Sequence, residues 1–344
     1  MILKRMIPAV GVALALGLVG CGGDDNKSGD SDTKTTQNQT AQEPAGSDSP
    51  VKIAVSVPAA DHGWLKAVAD DAKKAGEELE GVELTLNDSA ANSADQADQI
   101  ETLIAGKPDA LVILPFEGDA LTPVAQKATA EGIPVINIDR EFSTPGAFRT
   151  WIGGDNYGIG WQAGNYFADE LKCQGNVVEI QGLAGISVTE DRSKGFDEAL
   201  TKRCKGTIKV VASQPADFDP AKGLSVMENI LQAQKQIDGV YTHDDDMAEG
   251  VVSAIENADR QDEMFLTGAG GSKAAMDRIE AGGLYRATFL YNPTMSASAV
   301  NLAALIARGE GMAELTEPEV PSRIQVPATT VTKDNVADVR ELAY

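Results

Sequence analysis

The chain has 344 residues, 52 of them acidic and 29 basic, for a formal net charge of −23. That balance argues against a nucleic-acid partner, which needs clustered Lys and Arg to meet phosphate, and against docking on anionic lipid head groups. Two histidines, His62 and His243, and three cysteines, with no Cys-x-x-Cys or His-x-x-x-His spacing, leave little for a zinc site, so neither a metal nor a cofactor is expected.

In chain order, Lys4 and Arg5 precede an apolar run from Met6 to Gly20 that contains Pro8 and is fifteen residues long. A spanning helix needs about 20. Charge, apolar core and then small residues is the order of an export signal, which places the protein outside the cytoplasm. Leu18-Val19-Gly20-Cys21 resembles the bacterial lipoprotein box, in which the cysteine is acylated and becomes the mature N-terminus. The resemblance implies a signal over residues 1–21, lipidation at Cys21 and attachment to a membrane through that lipid. Residues 22–50 are Ser, Thr, Gln, Asn, Asp and Gly with almost no bulky apolar side chain, a composition that cannot bury enough surface to fold. They read as a tether. The remaining 294 residues exceed one typical core and predict two domains.

From Val51 onward short β-branched runs alternate with amphipathic stretches. Strands are predicted at 52–57, 82–87, 110–114, 134–139 and 148–152, with helices at 62–80, 93–105 and 119–131 between them. A second series has strands at 176–181, 207–213, 239–241, 264–267 and 285–290, and helices at 157–172, 188–202, 220–236, 247–258 and 273–281. Such alternation implies parallel βαβ units covered on both faces, hence an α/β fold of two doubly wound lobes. Cys173 and Cys204 each end a predicted helix just before a strand. In an oxidising compartment they are expected to form a disulfide, the alternative being two free thiols.

Ligands of doubly wound sheets sit outside the carboxyl ends of the strands. Those ends carry Asp61-His62-Gly63-Trp64, Pro115-Phe116-Glu117, Asp139-Arg140, Gly153-Gly154-Asp155-Asn156, Gly182 to Arg192, Phe218, Asp244 and Tyr291. Aromatic plates combined with charged hydrogen-bonding forks suit a sugar, whose C–H faces pack on rings and whose hydroxyls both donate and accept. Glu190, Asp191, Asp217, Asp245 and Asp246 read instead as solvated or capping groups.

Four ordered segments then resemble a known family, the periplasmic sugar-binding proteins of ABC importers, of the ribose and galactofuranose type. They are Asn137-Ile138-Asp139-Arg140, Val178 to Gly182 with Glu190 to Phe196, Ser213 to Asp219, and His243 to Ala248. The resemblance implies the type I periplasmic-binding-protein fold with a three-strand hinge. It divides the chain into an N-terminal lobe of 51–152 plus 292–320 and a C-terminal lobe of 153–291 plus 321–344. It implies a monomer without catalytic activity that closes on a monosaccharide and presents it to an ABC transporter permease. Trp64 and Phe218 are then the plates, Asp139 with Arg140 the first-lobe fork, and Arg192 with Asp244 the second-lobe fork. His62, Gly154 and Tyr291 complete the expected ligand set.

The sequence also departs from that pattern. Gly268-Ala269-Gly270-Gly271-Ser272 stands where an Asp is usual, Tyr291 where Gln is common, and Asp244 where ribose-type proteins tend to have Asn, so a polyol other than ribose is expected. The alternatives are a sensor subunit that presents its sugar to a membrane receptor, and a secreted enzyme such as a retaining glycosidase built on Asp139 and Glu190. No Gly-x-Ser-x-Gly elbow is present, and no basic helix-turn-helix opens the chain as in a sugar-responsive repressor.

Overall fold

The computed structural model describes residues 49–315 and 317–344; the export signal, Cys21 and all but the last two residues of the tether lie outside the described residues. The chain begins with β1 (Val51–Pro58), α1 (Gly63–Glu78), β2 (Val82–Ala90), α2 (Ser93–Ala105), β3 (Ala110–Ile113), α3 (Gly118–Ala130), β4 (Val135–Ile138) and β5 (Thr150–Gly154). It continues with α4 (Asn156–Glu170), β6 (Gly175–Gln181), α5 (Ser187–Cys204), β7 (Ile208–Pro215), α6 (Pro220–Ala233), β8 (Gly239–Thr242), α7 (Asp245–Asn257), β9 (Phe265–Thr267), α8 (Lys273–Ala281) and β10 (Tyr285–Phe289). Last come α9 (Met295–Ala307), β11 (Arg323–Val326), β12 (Thr330–Thr332) and α10 (Val336–Val339).

Two six-stranded sheets result, ordered β11-β5-β4-β3-β1-β2 and β12-β10-β9-β8-β6-β7. Every pairing is parallel except β10 with β12. The inner strands are mostly apolar, as burial on both faces requires: all four residues of β3 and of β4 are buried, Asn137 being the one polar residue among them. One face of the first sheet packs Leu111 and Ile113 against Leu121 and Ile100 of the flanking helices. Its other face carries α1 and α9. The second sheet is filled on one side by aromatic rings, Phe167 lying 5.2 Å from Phe196 and 4.7 Å from Phe265.

The backbone passes between the lobes after β5, between β10 and α9, and between β11 and β12. The third crossing corrects the expected boundary at 320/321. Arg323 to Val326 pair with Trp151 to Gly154 in the first sheet, so the chain changes lobe at 327–329.

A disulfide joins Cys173 and Cys204, with the Cα atoms 4.9 Å apart. It closes a loop of about 32 residues, worth about 3–4 kcal/mol in the chain-entropy model. Replacing both cysteines by serine is expected to lower the melting temperature by about 6 °C, given about 2.1 cal/mol/K of unfolding entropy per residue. A calorimetric scan of the double variant that matches the wild type would show the bridge to be idle.

Candidate functional site

The carboxyl ends of the two sheets face one another across a cleft. In it lies a cavity of about 340 Å³ free of protein atoms, part of it open to solvent, lined by His62, Trp64, Asp139, Arg140, Val188, Arg192, Phe218, Asp244, Ala269, Gly270 and Tyr291. That size is at the small end for ligand sites. Each lining residue follows a parallel strand: β1 and β4 in the first lobe, and β6 to β10 in the second.

On the first-lobe side, Asp139 follows β4 with φ +59°, a left-handed conformation that Asp tolerates better than bulkier residues. The turn is fixed by buried Asn137, which donates to the Arg140 carbonyl at 3.0 Å and accepts from the Phe142 N–H at 3.0 Å. Arg140 donates to the Phe116 carbonyl at 2.7 Å and pairs with Asp139 at 3.7 Å. Its Nε is buried and has no hydrogen-bond partner among the described residues. An unpaired buried donor is costly, and a ligand oxygen would satisfy it.

On the second-lobe side, Arg192 is held from three directions. Its Nε donates to Asn156 Oδ1 at 3.0 Å, an Nη donates to the His243 carbonyl, and the guanidinium lies 4.7 Å above the Tyr291 ring. The helix that carries it can approach α4 only because residue 160 is glycine; a Cβ there would meet the Arg192 carbonyl oxygen at 1.9 Å. Beneath the arginine, His243 Nε2 and Glu179 lie 3.0 Å apart, and Glu179 also accepts from Ser213. Burial pushes the His243 pKa down. Burial opposes ionisation of Glu179, but hydrogen bonds from His243, Ser213 and Ser193 and the charge of His243 together outweigh that and leave its pKa lowered.

Tyr291 ties the two sides together. Its hydroxyl donates to Asp139 and accepts from Asn156 Nδ2 at 3.1 Å, while its carbonyl accepts from Trp64 Nε1 at 2.8 Å. Gly154, expected among the ligand contacts, does not line the cavity. A Cβ on it would lie 2.2 Å from the Tyr291 ring, so its role is to admit that ring. The other eight expected residues all line the cavity, and Val188, Ala269 and Gly270 join them. Phe218 stacks on His62 with centroids 5.9 Å apart. Asp217 and Phe218 have φ +56° and +63°, strain of a kind that concentrates at functional sites.

Among the acids read as solvated or capping, Glu190 and Asp191 are exposed. Asp245 is a correction: it is 1% exposed. One of its oxygens accepts from Tyr285 at 2.7 Å and Thr288 at 2.8 Å, the other from the N–H groups of Gly271 at 2.7 Å and Ser272 at 2.8 Å. Asp246 reaches across the cleft to accept from the Trp64 N–H at 3.1 Å, at the first turn of α1.

Asp244 caps α7 by accepting from the Met247 N–H at 2.8 Å. Burial pushes its carboxyl up to about 7. Burial opposes the charge on His62, but its bond to Asp61 and the nearby charges of Asp244 and Asp246 outweigh that and raise its pKa. Both groups hold protons more tightly folded than unfolded, so their stabilisation is complete at low pH and lost as pH rises through the folded values. The melting temperature of the ligand-free protein, relative to that of Asp244→Asn, should therefore fall as pH rises from about 3.8 to about 7. An equal slope in the variant would contradict this assignment.

Two doubly wound lobes that hold a small, polar, aromatic-walled cavity between their strand ends define a two-lobed solute-binding protein. The chain belongs to the periplasmic binding protein domain family, whose model matches residues 53–311. It is 33% identical over 262 residues to the ribose import binding protein of Escherichia coli K12, covering 75% of this chain and 85% of that one. It is also 33% identical over 215 residues to the galactofuranose-binding protein of the same organism, covering 61% and 67%. A solved structure from Mycobacterium smegmatis, in complex with β-D-fucofuranose, is similar with a TM-score of 0.77 at 28% identity, over 84% of this chain and 93% of that one. Of these relatives, the first is named as an import binding protein and the second as a binding protein. The family is extracytoplasmic, and no helix among the described residues is long and apolar enough to cross a membrane.

Proposed function

We propose that this protein captures a monosaccharide or a similar polyol between its lobes and delivers it to the permease of an ABC importer, as a monomer held at the outer face of a membrane by lipid on Cys21. The observation that carries this reading is the cavity itself. Asp139 with Arg140 and Arg192 with Asp244 face it from opposite lobes, and Trp64 and Phe218 supply apolar surface. Two guanidiniums and two carboxyl groups supply both donors and acceptors for hydroxyls. A ligand that touches both lobes favours the closed form by its differential affinity.

A thermal-shift panel of pentoses, hexoses and polyols tests the ligand class. A sugar at 100 times its dissociation constant stabilises by about 2.7 kcal/mol. No shift with any sugar, together with a shift from an amino acid or phosphate, would contradict the reading. The anchor is tested separately: labelled palmitate should enter the wild type and not Cys21→Ala.

A further inference from the structure

Past β9, Ala269 and Gly270 form part of the cavity wall. Gly270 has φ +136°, and the space a Cβ would occupy there is already taken: the Tyr344 hydroxyl lies 2.7 Å from that position. The hydroxyl is buried and has no hydrogen-bond partner among the described residues. It is held by its frame, since the Tyr344 carbonyl accepts from the Lys273 N–H at 3.0 Å at the start of α8 and the ring packs against the core. The neighbouring Asp245 cannot serve as acceptor without giving up bonds to Tyr285, Thr288 and two backbone N–H groups. Burial, and then the charges of Asp244, Asp245 and Asp246, hold the phenol well above its ordinary pKa, so it remains a neutral O–H donor. A buried hydroxyl fixed without a partner, 2.7 Å from the place where a side chain of the cavity-lining Gly270 would begin, calls for a partner that arrives from the cavity.

We infer that Tyr344 is a ligand-contacting, specificity-determining residue, whose hydroxyl donates past Gly270 to an oxygen of the bound sugar on its second-lobe side. The inference rests on reading the cleft as a sugar site. A site built to donate to one oxygen discriminates against an analogue that lacks it, because the donor is then left unpaired.

The test is calorimetric titration of the full chain and of its Tyr344→Phe variant with D-ribose, L-arabinose, D-galactose, D-fructose, xylitol and myo-inositol. The sugar that the wild type binds most tightly is expected to bind the variant about tenfold more weakly, or ~1.4 kcal/mol. The ligand-free melting temperature should stay the same or rise, because removing an unpaired buried hydroxyl does not weaken the fold. Equal affinity for that sugar overturns the inference, and so does a lower ligand-free melting temperature, which would make the hydroxyl part of the fold. If the wild type binds none of the six, the sugar reading itself fails and takes the inference with it.

Discussion

Arg192→Ala is expected to weaken sugar binding at least a hundredfold and to lower the melting temperature of the unliganded protein. The guanidinium is 3% exposed and already serves Asn156, the His243 carbonyl and the Tyr291 ring. The bond to His243 uses one of its two terminal nitrogens; the residue lines the cavity, and the other nitrogen has no protein acceptor among the described residues. A hydrogen bond from a charged donor is worth about 1.5–3 kcal/mol, and a micromolar complex has about 8 kcal/mol in all. Losing one such bond, together with the packing of Tyr291, therefore removes a hundredfold or more. The stability loss follows because Asn156 and the His243 carbonyl are left unpaired in a buried place. Lysine should not restore function, since it has no planar fork to serve Asn156 and His243 at once. Calorimetric titration and a thermal scan of Arg192→Ala give both numbers, and wild-type affinity would place the ligand elsewhere.

Asp245→Ala should be the most damaging substitution for the fold. Its two oxygens satisfy Tyr285, Thr288 and the N–H groups of Gly271 and Ser272, so truncation orphans four buried donors at once. Removing one partner from a buried charged network costs about 3–5 kcal/mol. At about 2.1 cal/mol/K per residue that is a fall of about 5–8 °C in melting temperature. The loop at 268–272 forms part of the second-lobe wall through Ala269 and Gly270, so ligand affinity should fall with it. A melting temperature within a degree of the wild type would mean that the loop holds itself.

The alternation of β-branched runs and amphipathic stretches made the first eighteen elements legible, because βαβ units impose short buried apolar runs and then a period of 3.6 on the chain. Beyond 290 the signal weakens for physical reasons. The helix α9 is buried on most sides, with Met295, Ala299, Val300, Leu302, Ala303 and Ala304 all inside, so it shows little periodicity. The strands β11 and β12 lie at the sheet edges and bury little, so no apolar run marks them, which is why the last crossing was placed several residues early. Most of the site was legible because it gathers at strand ends. Gly154 was misread since a glycine's effect lies in what it admits, here the Tyr291 ring. Asp245 looked, with Asp246, like a surface or capping acid beside Asp244, because one-dimensional order does not show that the first turn of α7 points it into a cage of donors. Tyr344 lies 74 residues from Gly270, and no local pattern links them.

The most direct measurement is a crystal structure of the protein grown with a sugar selected by the thermal-shift panel. The account predicts one sugar ring between the lobes, with Arg192 and Asp244 on one side, Asp139 and Arg140 on the other, and Trp64 and Phe218 against its apolar faces. An empty cleft, with the sugar ordered at another surface of the same molecule, would contradict it.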